Sequence, residues 1–399
     1  MSQKVGPGFD DFGLVFAYDT GDTNSFRGEP TTNLAYASNP NLTSNSNWWF
    51  NSGESVLLNN DTTLEKPIIP HVDTSNLHIF SSRVTVAGNQ HIGSAIISIS
   101  PSTQYTMSIY FWFQGSTMQA APYLRTAVNN NGLATFAYNG DTNYLNWPRG
   151  KWIRLSATFT TQANETGVYM SSYTGDFVGE KVAYFGYQLE QKDHMTPLVL
   201  GTRNSSTQSL LDYTGNRTIE IGNASFNSSG QMIFDGTNDY LAPGSFNLLG
   251  MGASTLEAVI YMENLSSPDN SYSIFGGISD EGYHGYHEIR NSGSGYKMTF
   301  WTATDGWRYS NTALSAQTWY HVVWVWNGLN LTFYLNGQND GSFTFTTFSP
   351  YGLGFNRISS FPNERYMNGK IPLTKVYNRG LSSNVIAENY NNYKKRFGI

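Results

Sequence analysis

The chain has 399 residues, which at roughly 100–200 residues per domain suits two domains. Hydrophobic residues make up 39% and charged ones only 13%, so a core can be buried and a mainly disordered chain is excluded. A formal net charge of −6 lacks the cationic footprint that nucleic acid requires, and the absence of cysteine excludes disulfides and thiolate metal sites.

Residues 1–12, with Gly6, Pro7 and Gly8 followed by Asp10 and Asp11, read as an arm. Their start lacks an apolar signal region, and no later stretch approaches the ~18 apolar residues of a membrane span, so neither a signal nor a membrane partner is expected. Gly13–Asp19 reads as a first strand, and a polar loop carries the chain to about residue 35. Between residues 36 and 198, Arg83–Val86, Ala95–Ser100, Tyr105–Phe113, Trp152–Phe159 and Val182–Leu189 are β-branched and aromatic runs bounded by turn residues. They predict one antiparallel β sandwich. Residues 199–210 are polar and read as a linker.

A second β module follows over residues 211–399. Its predicted strands include Gln231–Phe234, Thr255–Tyr261, Tyr296–Trp301, Trp319–Trp326, Leu331–Leu335 and Lys370–Tyr377, with a hairpin turn at Asn327-Gly328-Leu329-Asn330. Trp324 and Trp326 share one strand face with Val322 and read as core. A terminal helix is expected from about Ser382 to Phe397, its basic end at Lys394, Lys395 and Arg396 complementing the dipole.

Phe234-Asp235-Gly236-Thr237-Asn238-Asp239-Tyr240-Leu241, Trp319-Tyr320-His321-Val322-Val323, Leu331–Gly337 and Asn368–Ser382 together resemble the concanavalin A-like (laminin G-like) jelly-roll family. Gly13–Asp19 with Asn24–Gly28 and Thr31-Thr32 is similar to the opening strand of such domains in virion proteins of tailed bacteriophages. There that strand runs straight into a segment like Leu211–Thr218, so the resemblance implies that residues 13–35 form part of the C-terminal jelly roll and that the first sandwich is inserted. The intervening module, through Trp152–Ser156, Gly186–Glu190 and Thr196-Pro197, resembles carbohydrate-binding modules of phage structural proteins. The expected fold class is all-β: two antiparallel β sandwiches (jelly rolls) and one short C-terminal helix.

Glycosidases need two facing carboxylates, about 5–5.5 Å apart for retention and about 6.5–9.5 Å apart for inversion. No Glu-x-Asp-x-Glu alternation occurs, and Glu288 has no acidic partner two residues away, so an enzyme is not expected. Of the seven histidines only His284 and His287 are close, without the spacing of a zinc motif; His321 is expected to pack with Trp319 or to face solvent. Asp235, Asn238 and Asp239 offer three oxygens to a calcium ion, or equally form a turn. Tyr283, Tyr286, Trp301, Trp307 and Tyr309 flank Gly- and Asp-rich turns and are candidates for stacking on sugar rings or for contact with a protein neighbour. The resemblance implies a structural virion protein, a capsid decoration or head or tail fibre protein. Its partners would be capsid or other virion proteins, further copies of itself in a homo-oligomer, and cell-surface glycan. A free carbohydrate-binding lectin is the first alternative and a glycoside hydrolase the second.

Overall fold

The computed structural model describes residues 12–38, 48–50, 55–84, 91–115, 118, 120–173, 178–227, 229–248, 251–277, 286–302, 304–346, 354–361 and 364–399. The chain divides into two compact units. One comprises the chain up to Glu29 together with Asn204–Ile399, and the other Pro30–Arg203.

In the first unit, one sheet has eight strands among the described residues, in the order Ser225–Phe226, Met232–Asp235, Asn368–Tyr377, Ala253–Met262, Trp319–Asn327, Asn330–Leu335 and Gln338–Thr344. The eighth, Leu14–Asp19, pairs antiparallel with Asn368–Tyr377 across more than 350 residues of sequence, with Tyr18 opposite Thr374. It is held on its other side too, where the Tyr213 N–H donates to the Ala17 carbonyl at 2.8 Å and the Ala17 N–H to Asp212 Oδ1 at 3.0 Å. The facing sheet has seven strands: Glu220–Gly222, Tyr240–Ala242, Arg357–Ile358, Ser271–Gly276, Tyr286–Asn291, Tyr296–Thr302 and Gly306–Tyr309.

Alternation along each strand sends one set of side chains into the space between the sheets. Phe16, Leu256, Ala258, Val322, Trp324, Trp326 and Phe333 meet Ile274, Phe275, Ile289, Met298 and Phe300 there. Burial of two tryptophans obliges their N–H groups to find acceptors. Trp324 donates to the Thr299 carbonyl at 3.2 Å and Trp326 to His287 Nε2 at 3.3 Å. Burial pushes the His287 imidazole down to about 3, against a bond to the Phe275 backbone that raises it, so the ring stays neutral and accepts that N–H.

The C-terminal helix, Ser383–Phe397, packs on the outer face of the eight-stranded sheet. Ser382 caps it, and Gly398, in the left-handed region at φ 72°, closes its last turn. Arg396 at its basic end does more than complement the dipole: it forms a bidentate pair with Asp19, at 2.5 and 2.6 Å. His321 neither packs chiefly with Trp319 nor faces solvent. It is fully buried beneath this helix, with Nε2 hydrogen-bonded to Glu257 Oε1 at 2.8 Å.

The second unit is a sandwich of a five-stranded sheet, ordered Ile153–Thr160, Gln104–Phe113, Lys181–Glu190, Phe80–Val84 and Ser55–Asn59, and a six-stranded one built around Gly167–Tyr173. Met107, Ile109, Phe111, Leu155, Tyr184 and Leu189 meet Leu124, Val168 and Met170 in its core. Lys181 and Asp61 form a buried ion pair, and Thr63 and Ser81 also bond to that carboxylate. Burial alone would raise the Asp61 carboxyl, but these bonds outweigh it and hold it well below the usual range.

Two expected boundaries shift. Residues 199–210 are not a free linker: Thr202–Arg203 pairs with Thr31–Thr32 in the second unit, whereas Leu210 bridges Phe26 and lies in the core of the first. Residues 30–35 likewise fall in the second unit, where a short additional helix, Leu34–Ser38, packs against Lys181–Glu190. The Asn33 side chain anchors this corner, donating to the carbonyls of Tyr187 and Val199.

Candidate functional site

The seven-stranded sheet presents its second face outward. Because His287 and Ile289 point into the core, Tyr286, Glu288 and Arg290 lie on that outer face, and the same logic places Lys297, Thr299 and Trp301 there. Register then arranges them in rows. Trp301 stands opposite Trp307, Thr299 opposite both Glu288 and Tyr309, and Lys297 opposite Arg290.

Three of the five predicted aromatic residues come together. The Tyr286 ring meets Trp301 edge-on at 5.2 Å and Trp307 at 5.7 Å between centroids, and the two tryptophans are 6.4 Å apart. All three are half-buried. Tyr309 lies one row further along the same face, half-buried and outside this cluster of rings, and Tyr283 lies outside the described residues.

Three further side chains that no local pattern marks join the face: Phe361, Arg365 and Arg290. Phe361 stacks on Tyr286 at 4.9 Å and 21°. It is carried there by a segment that crosses the strand Ser271–Gly276 so closely that a Cβ on Gly276 would sit 2.0 Å from the Ser360 carbonyl oxygen, which is why a glycine stands at that point. Arg365, from the same segment, lies over the Phe361 ring at 4.8 Å and donates to Glu288 Oε1 at 2.8 Å. Arg290 extends over Glu288 to place its guanidinium 4.2 Å from the centre of the Trp307 ring. Glu288 is therefore fully buried. Burial pushes its carboxyl up, and the Arg365 charge and hydrogen bond offset that only in part.

The second predicted set does not converge. Asp235 Oδ1 accepts the Thr237 N–H at 2.7 Å, and Asp239 Oδ2 accepts the Asp235 N–H at 2.8 Å. Asp239 is buried while Asn238 and Asp235 are exposed, and the two carboxylates bond to backbone N–H groups of the turn. Among the described residues no group of three or more His, Cys, Asp or Glu is placed to hold a metal ion. Burial raises the Asp239 carboxyl to about 6, with the Asp235 charge adding to the rise against its backbone bond.

What the outer face offers chemically is a set of partly exposed aromatic rings edged by guanidinium groups, a surface suited to stacking and to cation–π contact. Residues 235–387 match the family model of the concanavalin A-like lectin/glucanases superfamily, so the C-terminal part of the chain is a lectin/glucanase-like β sandwich. No curated protein matches the chain in sequence. Among solved structures, domain 4 of the extracellular arabinanase AbnA from Geobacillus stearothermophilus, in complex with arabinotriose, is 14% identical, with 44% of this chain and 90% of that one covered and a TM-score of 0.35. A botulinum neurotoxin type C structure is 13% identical over 47% of this chain and 50% of that one, with a TM-score of 0.36. The enzymatically active domain of tailspike protein 4 of bacteriophage CBA120 is 14% identical over 40% of this chain and 21% of that one, with a TM-score of 0.28.

Proposed function

We propose that this protein is a structural, non-catalytic virion protein of a tailed bacteriophage, a decoration or fibre protein that touches cell-surface glycan through the outer face of its seven-stranded sheet. The observation that carries the glycan reading is the cluster of Tyr286, Trp301 and Trp307, three half-buried rings gathered from three adjacent strands on a face turned away from the core. The matched lectin/glucanase superfamily suits it. The virion reading is supported by the resemblance of residues 13–35 and 211–218 to virion jelly rolls, and by the pairing of Leu14–Asp19 with a C-terminal strand.

A non-catalytic role is favoured by the state of Glu288, a carboxylate beside the rings. Covered by Arg290 and bonded to Arg365, it holds the face together and has no open path to a scissile bond. Purified particles analysed by quantitative mass spectrometry test the assignment. The chain is expected at a fixed copy number relative to the major shell protein, and particles that lack it would end the virion reading.

A further inference from the structure

Among the described residues, the outer face of the seven-stranded sheet sets two cations side by side with one carboxylate 3.7 Å from the nearer of them. Arg290 stands directly opposite Lys297 on the neighbouring strand, and like charges opposed across two strands destabilise a sheet. Among the described residues Arg290 pairs with Glu288, whose Oε2 lies 3.7 Å from Arg290 Nη1, too far for a hydrogen bond. The other oxygen of Glu288 accepts from Arg365, which also pairs with Glu364 at 3.1 Å. Asp269, at the edge of this face, is bonded to the Arg365 backbone N–H.

Two cations are thus served by one long ion pair. Lys297 has neither ion pair nor hydrogen bond among the described residues, and Arg290, whose Nη1 is buried against Glu288 without a hydrogen bond, keeps 23% of its side chain exposed. Like charges placed opposite each other on adjacent strands cost stability in the free protein, and a bound anion relieves that cost. They sit beside the rings, with the Arg290 guanidinium on Trp307. The whole chain, by contrast, carries a net charge of −6.

Resting on the glycan reading above, we infer that the ligand of this face is an acidic saccharide, whose carboxylate is received by Arg290 and Lys297 while a sugar ring lies against Trp301 and Tyr286. A planar guanidinium matches a carboxylate in shape and charge, and a lysine opposite it adds a second, movable donor. An aromatic surface next to the cations favours a sugar over an inorganic anion, because it contributes contact only to a ligand with an apolar face.

The test uses the full chain on immobilised oligogalacturonate, alginate and sialyl oligosaccharides, each beside its carboxyl-reduced counterpart. Binding to at least one acidic member is expected, weaker by about tenfold or more on the reduced counterpart and by a similar factor in the Arg290→Gln, Lys297→Gln double variant. Trp301→Ala is expected to lose acidic and neutral binding together. Equal binding to acidic and reduced members, still lost in Trp301→Ala, would overturn the charge inference and leave the glycan site standing. Binding to none of them, or binding indifferent to Trp301→Ala, would remove both. The carboxyl-reduced arm needs no variant, so the result stands even where the double substitution lowers stability.

Discussion

Phe16→Ala is expected to lower the stability of the unit formed by the chain up to Glu29 and Asn204–Ile399 by about 3–5 kcal/mol. The magnitude follows from burial. Phe16 has no exposed surface, meets Phe246 edge-on at 5.4 Å and Tyr18 at 6.1 Å, and lies in the same core as Trp324 and Met298. Alanine leaves a void that both sheets would have to close. The residue belongs to an N-terminal strand, yet the loss should appear in the C-terminal sheets. Hydrogen exchange read by peptide is therefore the right measurement. Faster exchange is expected over Ala253–Met262 and Asn368–Tyr377, with Gln104–Phe113 and Ile153–Thr160 unchanged. Exchange accelerated in the latter strands instead would contradict the role given to Leu14–Asp19.

The second large effect is expected at Glu257, beneath the C-terminal helix. Its carboxylate is wholly buried, sharing Oε1 with His321 at 2.8 Å and accepting from the Asn389 side chain at 2.9 Å through Oε2, and it stands opposite Lys375 in register. Burial pushes the carboxyl up, but the His321 bond, the Lys375 charge and the Asn389 bond outweigh it and hold it below the usual range. Glu257→Ala takes the acid from a buried lysine and is expected to cost about 3–5 kcal/mol at neutral pH.

The sign of the pH dependence follows from the lowered folded-state value. The unfolded chain takes up the proton first as pH falls, so the stabilisation from this group is complete above the ordinary carboxylate value of 4.5 and is lost as pH drops below it. Urea unfolding of the wild type and Glu257→Gln should show a gap that narrows between pH 7 and pH 3. A gap of constant size would mean that the charge of Glu257 contributes nothing.

Several strands were legible because their chemistry is local. Tyr105–Phe113, Trp319–Trp326 and Lys370–Tyr377 combine β-branched or aromatic residues with clear borders, and the observed strands Gln104–Phe113, Trp319–Asn327 and Asn368–Tyr377 differ from them by at most two residues at either end. The Asn327–Asn330 hairpin is local in the same sense, with Asn327 paired to Asn330 and Gly328 at φ 57°.

Other strands hide for identifiable reasons. In Ser271–Gly276 the register shifts between Ser273 and Phe275, so Ile274 and Phe275 are buried in succession and the alternation breaks. Gln338–Thr344 is an edge strand and largely polar.

The candidate site divides in the same way. Trp301 and Trp307 could be singled out because they flank one turn, and Tyr286 because it lies near another. Phe361 and Arg365 could not, since a segment more than 50 residues downstream carries them onto the face. The burial of Glu288 depends on where two arginines lie, which no local pattern encodes. At Asp235, Asn238 and Asp239 the composition fitted a cation and a turn equally well, and the backbone N–H groups of the turn took the carboxylates.

Hydroxyl-radical footprinting of the full chain, free and with the polysaccharide extracted from a bacterial cell envelope to which the protein adheres, reads the proposed contact surface directly. Oxidation of Tyr286, Trp301 and Trp307 should fall together on binding, while Trp152, on the other unit, keeps its rate. Protection confined to Trp152, or unaltered oxidation of all three rings in the bound state, would place the contact elsewhere and contradict the account.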